Sequence, residues 1–303
     1  MEKQLIKTLL AEKIQINNIR ENEKMAEHTT FKIGGPVDLF ISPTSTQELI
    51  HAVQVCKANN VPYYVIGNGS NLLVPDEGIS GVVIQICKNL STIEVKNGQI
   101  TAYAGALLSR IAKEAAEHSL SGFEFAHGIP GSLGGAVTMN AGAYGGEMKD
   151  VLVEATFIDE EGNLVTLEKD ELHLGYRHSI VSEKNYIVVK ATIGLKEGNK
   201  EAIEELMKDL MGRRKDKQPL EYPSAGSTFK RPQGYFAGKL IMDSGLAGHQ
   251  IGGARVSEKH CGFVINAGDA TCKDVLNLIN YVQEEVKRQF GVHLEPEVKL
   301  LTK

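Results

Sequence analysis

Apolar positions in this 303-residue chain fall in short runs whose period changes along its length. Over residues 5–16 they recur at helical spacing and predict an amphipathic helix. Residues 37–41 read as a strand entered from the turn Gly34-Gly35-Pro36. Ser45 or Thr46 caps a helix over 47–59. Strands at 63–66, 72–74 and 82–86 complete a small β-α-β part over residues 1–86. Asn97-Gly98 and Glu161-Gly162 each sit between alternating apolar runs, which predicts two hairpins, 93–104 and 153–167. With a helix over 107–118 and a strand over 187–195, residues 87–196 read as mostly antiparallel. A boundary falls near Glu197-Gly198-Asn199. Beyond it, helices over 202–214 and 273–290 flank a loop over 218–227 with two prolines. Residues 197–303 therefore form a second, α/β unit, and the whole chain is α+β.

Composition narrows the function classes. A net charge of −5 argues against nucleic-acid binding through bulk electrostatics. No apolar run is long enough to span a membrane, and residues 1–22 are too charged for a signal peptide. Cys56, Cys87, Cys261 and Cys272 form no CxxC pair. They read as reduced thiols of a cytoplasmic protein, with neither a zinc site nor a disulfide framework; no metal is expected.

Candidate chemistry gathers where glycine is dense. Residues 122–146 are a poor helix or strand interior and a good place for backbone to approach a flat or phosphorylated ligand. Residues 128–135 read as a tight loop, and 136–139 as the start of a short apolar element. Free N–H groups at such a junction bind phosphate oxygens. A second loop, Gly67-Asn68-Gly69-Ser70-Asn71, follows strand 63–66 directly. It is a partial dinucleotide fingerprint only: Leu72 stands where the third glycine belongs, and no helix follows. There is no GxxxxGK[ST].

Six stretches carry a resemblance in register: GNGSNLLV at 67–74, GIPGSLGGAVTMNAGAYGGE at 128–147, YRHS at 176–179, AGSTFKRP at 225–232, AGKLIMDSGLAG at 237–248 and LEPEVK at 294–299. The chain resembles the UDP-N-acetylenolpyruvoylglucosamine reductase family of bacterial peptidoglycan synthesis, in the form that lacks an extra tyrosine-bearing loop. The resemblance implies a two-part FAD-binding domain of the vanillyl-alcohol oxidase (PCMH) type followed by a substrate domain. It also implies FAD as cofactor, NADPH as hydride donor and a nucleotide sugar as substrate. Three residues depart from the family pattern: His127 where cysteine is frequent, Thr228 where an apolar residue is common, and Arg231.

The resemblance assigns roles that suit the chemistry. Hydride addition to an alkene beside a carboxylate needs charge stabilisation and then a proton. Arg177 supplies a permanently charged fork for the carboxylate, and Glu297, held neutral, a hydrogen bond to the developing enolate oxygen. Ser227 supplies the proton, with Lys230 or water helping. Read without the resemblance, Arg177 is a strand-end surface arginine, and Ser227 a turn residue bonded to backbone. For the FAD diphosphate the candidates are Gly67, Asn68, Gly69, Ser70, Asn71, Gly131, Ser132, Gly134, Gly135 and Ala136. Asn140, Ala141 and Gly142 are expected near the ring or ribityl chain. Lys217, Lys230 and Arg231 are the basic candidates for the UDP diphosphate.

Overall fold

The computed structural model describes residues 3–302. The chain divides into two compact units, and each has its own core. The first comprises the segment ending at Arg20, Leu39–Asn68 and Gly81–Arg214; the second comprises Glu21–Asp38, Gly69–Ser80 and the chain from Lys215 onward. The division differs from the sequence boundary at 196/197. The helix Lys200–Lys217 belongs to the first unit as far as Arg214, because Ile203 and Met207 are buried in that unit's core. Two early segments belong with the C-terminal part. Phe31, Ile33 and Leu73 sit in its core beside Leu240, Val275 and Leu294.

In the first unit a five-stranded sheet is antiparallel throughout, in the order Leu164–Glu168, Leu152–Ile158, Ile187–Gly194, Gln99–Tyr103, Ile93–Lys96. Both expected hairpins are present: Lys96 pairs with Gln99 and Ile158 with Leu164. A four-stranded sheet runs Ile19–Lys24, Pro36–Ile41, Ile79–Gln85, Tyr63–Ile66, and its last two strands are parallel. Its other three strands each cross the division between the units. The strand Ile19–Lys24 has no sequence signal, since four of its six side chains are exposed and its sequence is IRENEK. The first helix is Lys3–Ala11 and stops short of the expected residue 16. Ser45 caps the helix Thr46–Ala58, its Oγ accepting from Glu48 N at 3.2 Å.

The second unit packs helices Ala237–Asp243 and Cys272–Phe290 with a three-stranded sheet, Gln250–Ile251, Ala254–Val256 and Val264–Asn266. A parallel pair joins Leu72–Leu73 to Lys299–Leu300. Among the described residues no helix is long and apolar enough to cross a membrane.

The long helix Cys272–Phe290 shows how the early segment is tied in. A helix start leaves its first N–H groups without intrahelical partners. Here Asp76 Oδ1 accepts from Cys272 N at 2.9 Å and Oδ2 from Lys273 N at 3.4 Å, while Thr271 Oγ1 accepts from Asp274 N at 3.0 Å. The carboxylate also faces the positive end of the helix dipole. Cys272 lies beside it, and burial followed by Asp76 and Glu77 pushes the thiol up to about 12. Asp76→Ala should therefore destabilise the protein by about 0.5–2 kcal/mol, the range for losing a helix N-cap. Urea denaturation should show a lower midpoint with an unchanged slope.

Candidate functional site

In the first unit the two glycine loops meet. Gly67 follows the strand Tyr63–Ile66, and Ser132 precedes the helix Leu133–Thr138. A β-carbon at Gly67 would lie 2.2 Å from Ser132 Oγ, so a side chain there would displace the serine hydroxyl. Asn68 Nδ2 donates to Pro130 O at 2.7 Å and ties the loops together. The helix start is not the free N–H array the sequence suggests. Leu133 N donates to Ala106 O and Gly134 N to Ala104 O, both at 2.8 Å, and Leu108 N donates to Gly131 O at 3.1 Å. Ser132 and Gly135 keep N–H groups without a backbone acceptor. Gly134 is required by contact, since a β-carbon there would stand 3.0 Å from Ala104 Cβ.

Ser132 tests whether this cradle fits a phosphorylated cofactor. The residue is 2 % exposed, and its Oγ is buried with no hydrogen-bond partner. An unmade bond at a buried hydroxyl costs about 1–3 kcal/mol. A ligand oxygen at Gly67 would supply the missing partner, and a diphosphate presents such acceptors. The strand Tyr63–Ile66 also lends Tyr63 and Val65 to a cavity of about 570 Å³, lined further by Val181, Tyr186 and Ile187. That volume lies within the ordinary range for small-molecule sites.

Arg177 sits in a tight turn closed by paired backbone bonds between Gly175 and His178, with φ +54°. A non-glycine residue in this region is strained and persists where its surroundings over-determine it. Asn140 is one determinant. It is 1 % exposed, and its Nδ2 donates to Gly175 O at 3.0 Å and to Glu147 Oε2 at 2.7 Å. Its Oδ1 accepts from Lys149 N at 2.8 Å. Ser179 is another, fully buried, its hydroxyl donating to Thr138 O at 2.7 Å. His178 Nε2 meets Glu183 Oε1 at 2.7 Å, and His173 Nδ1 meets the other oxygen at 2.9 Å. The two histidines hold the Glu183 carboxyl below its usual range. Asn140, expected near the flavin, thus spends its side chain on the arginine turn. Ala141 gives its N–H to Ala136 O, and Gly142 pairs with Glu147 in a short hairpin.

Ser227 and Glu297 are carried by segments of the second unit that bond to each other. Thr228 N donates to Gly262 O, Glu297 N to Thr228 O and Lys230 N to Glu295 O, all at 2.8 Å. Thr228 is 3 % exposed, and its Oγ1 accepts from Val264 N at 2.8 Å, so this departure from the family pattern anchors the strip. Ser227 is half-buried, and among the described residues its hydroxyl forms no hydrogen bond. Glu297 is 8 % exposed. Asn71 Nδ2 donates to Glu297 O at 3.1 Å and Asn71 O accepts from Lys299 N at 2.9 Å, which places Asn71 beside the glutamate's backbone. A β-carbon at Gly69 would lie 1.9 Å from His28 O. Ser70 is half-buried in the same unit. Of the basic candidates, Lys230 is ion-paired with Glu295, Arg231 stacks on Phe236 at 4.0 Å, and Lys217 is exposed. Elsewhere, Glu23, Glu27 and His28 bring three potential metal-ligand atoms within 4.8 Å of one another, with His28 Nε2 bonded to Glu23 Oε1 at 2.8 Å.

With this geometry in place, the comparisons are specific. Residues 218–301 match the family described as UDP-N-acetylenolpyruvoylglucosamine reductase, C-terminal domain, and residues 37–168 match an FAD-binding domain family. A UDP-N-acetylenolpyruvoylglucosamine reductase of Agathobacter rectalis is 57% identical over 293 residues, covering 93% of each chain. The chain belongs to the UDP-N-acetylenolpyruvoylglucosamine reductase family. The crystal structure of the Thermus caldophilus member is 38% identical, with a TM-score of 0.82, and covers 94% of this chain and 100% of that one. A grass-pollen allergen with glucose dehydrogenase activity matches at 14% identity and a TM-score of 0.52, over 63% of this chain and 44% of its own. That likeness shows the fold, the FAD-binding fold of the vanillyl-alcohol oxidase type, extending beyond this family.

Asn140→Ala leaves Gly175 O, Lys149 N and the Glu147 carboxylate each short of a partner. We expect a loss of about 1–3 kcal/mol in stability, the cost of removing a buried side chain and its three hydrogen bonds. Thermal unfolding of the purified variant measures it; a shift within the range of a surface substitution would show that the clamp contributes nothing.

Proposed function

We propose that this chain reduces the enolpyruvyl double bond of UDP-N-acetylglucosamine-enolpyruvate, giving the lactyl ether of UDP-N-acetylmuramate. NADPH is the hydride donor and FAD the bound carrier. Membership of the reductase family, which spans both units, carries this reading. When bound, FAD supplies a two-electron relay between nicotinamide and alkene. The residues of the chain do the rest.

The Ser132 hydroxyl, with the N–H groups of Ser132 and Gly135, binds diphosphate oxygens. Gly67, Gly131 and Gly134 keep the approach open, with Asn68 and Ala136 framing it; Gly69, Ser70 and Asn71, in the second unit, are further candidates for the cofactor. Asn140, Ala141 and Gly142 act by shaping the neighbouring loop, since their polar groups are engaged internally. Lys217, Lys230 and Arg231 meet the UDP diphosphate, with the charge of Lys230 shared by Glu295.

For the reaction, Arg177 forks onto the substrate carboxylate and stabilises the charge that hydride addition puts there. Glu297, buried in the second unit, donates in its neutral form to the same developing oxygen. Ser227 gives a proton to the carbon beside the carboxylate. Its hydroxyl is not spent on turn bonds, which supports the role.

Anaerobic rapid mixing separates the two halves of the reaction. Ser227→Ala should leave NADPH-dependent bleaching of the yellow enzyme unchanged. It should slow the return of colour on adding the enolpyruvyl nucleotide by roughly 10²–10⁴-fold, the worth of a general acid. Equal slowing of both halves would make Ser227 a loop-shaping residue. Arg177→Lys keeps the charge but loses the fork, so kcat should fall by about 10²–10³-fold. Turnover like that of the wild type would remove Arg177 from the mechanism.

A further inference from the structure

The helix Lys200–Lys217 turns one face into the first unit. Ile203 and Met207 are buried there, and Met211 follows one turn on, with its Cε 3.7 Å from where a β-carbon of Gly128 would be. The spacing 203, 207, 211, 214 continues that face, and the next member is Arg214. An apolar stripe thus ends in a guanidinium. Its Cδ lies 3.1 Å from the β-carbon position of Gly128, so the arginine stem occupies the space a side chain there would take. Arg214 is half-buried, and among the described residues no carboxylate forms an ion pair or hydrogen bond with it. Burial pulls its pKa below the usual arginine range, and the group that most opposes this is the Tyr144 hydroxyl rather than an acid. Its neighbour Arg213 is ordinary: exposed, and paired with Asp209 at 2.7 Å.

The surroundings of the loop share this one-sided charge. His127 precedes Gly128, and its Nδ1 is buried without a partner. Burial first, and then Lys113, hold its pKa below the normal histidine value. Four residues on from Gly128 is the orphan Ser132 hydroxyl. A partly desolvated cation normally brings its counter-charge with it. Here Arg214 packs on Gly128 and Lys113 acts on the neighbouring His127, and among the described residues neither cation forms an ion pair.

We propose that Arg214 is a cofactor-binding residue whose missing counter-ion is an anionic locus of bound FAD. The inference rests on the proposed FAD site and adds a residue to it. The locus has two possible sources on the same cofactor: the diphosphate oxygens, or the negative charge that the ring acquires on reduction. Arginine suits either, because its planar fork stays charged and engages paired oxygens.

The test uses the full chain stripped of FAD and reloaded, with Arg214→Met, which keeps the apolar stem, Arg214→Lys, which keeps the charge, and Arg213→Met as control. Three quantities are read: thermal midpoint of the apoprotein, FAD affinity by flavin fluorescence quenching, and midpoint potential of the reloaded flavin. Removing an unmatched cation should leave the apoprotein midpoint of Arg214→Met unchanged or higher. If the diphosphate is the partner, FAD affinity falls at least about tenfold with the potential unmoved, and added salt weakens wild-type binding more than that of Arg214→Met. If the reduced ring is the partner, the potential falls by about 30 mV or more, the two-electron equivalent of a tenfold change. Arg214→Lys should recover part of either effect. Affinity and potential both equal to those of Arg213→Met would overturn the proposal, as would an Arg214→Met apoprotein that unfolds early while binding FAD normally. Failure of every variant, the wild type included, to take up FAD would instead count against the cofactor site itself.

Discussion

The approach of the Ser132 hydroxyl to the Gly67 backbone sets the terms for the glycine loops of the first unit. A β-carbon at 67 would meet the serine oxygen at 2.2 Å. That approach fixes where the strand Tyr63–Ile66 can end and where the helix Leu133–Thr138 can begin. The helix start is pinned further by Leu133 and Gly134 donating to Ala106 and Ala104. The loop is therefore rigid before any ligand arrives, and donors used for rigidity cannot also bind phosphate. What remains is a small set of groups, the Ser132 hydroxyl foremost, left unsatisfied in the protein alone. Such a group costs about 1–3 kcal/mol, and the fixed bonds around it keep it from finding a substitute partner by relaxing.

The second unit reaches precision by a different route. Ser227 and Glu297 lie on extended strips joined by main-chain hydrogen bonds, with Thr228 bonded through its N–H, carbonyl and hydroxyl at once. Backbone pairing is indifferent to most side chains, so Ser227 and Glu297 are held without dedicating further residues to them. Arg177 is held at greater cost. Its positive φ stores strain of order 1–3 kcal/mol. Asn140, Ser179 and the His178–Glu183 pair are what make the turn persist.

Much of the fold was legible in the sequence, and the reasons are local. Both hairpins carry Asn-Gly or Glu-Gly between alternating runs, and the helices at 46–58, 108–117 and 272–290 carry caps or clear periodicity. The strand IRENEK was not legible, since it is largely exposed and owes its conformation to pairing rather than to apolar pattern. The division into units was also hidden: segments 21–38 and 69–80 join the C-terminal core through Phe31, Ile33 and Leu73, contacts that no local window reveals. At the site, residue types were legible and the spending of their hydrogen bonds was not. Asn140 in a glycine-rich stretch reads as a residue near the flavin, and its side-chain bond to Gly175, 35 positions on, has no local signal.

Arg213 and Arg214 show where a finer reading of periodicity goes further than composition. Both lie in the basic last turns of one helix, and together they suit the helix dipole. Yet one residue of rotation, about 100°, separates a side chain in solvent from one on the buried stripe. Arg213 falls where a partner four residues back, Asp209, neutralises it. Arg214 falls on the stripe of Ile203, Met207 and Met211, where an apolar residue would cost nothing and a cation is partly desolvated. Stability alone selects against that choice. An arginine on the core-facing side of this helix, packed over Gly128, is a cation to which no described residue supplies an ion-pair partner.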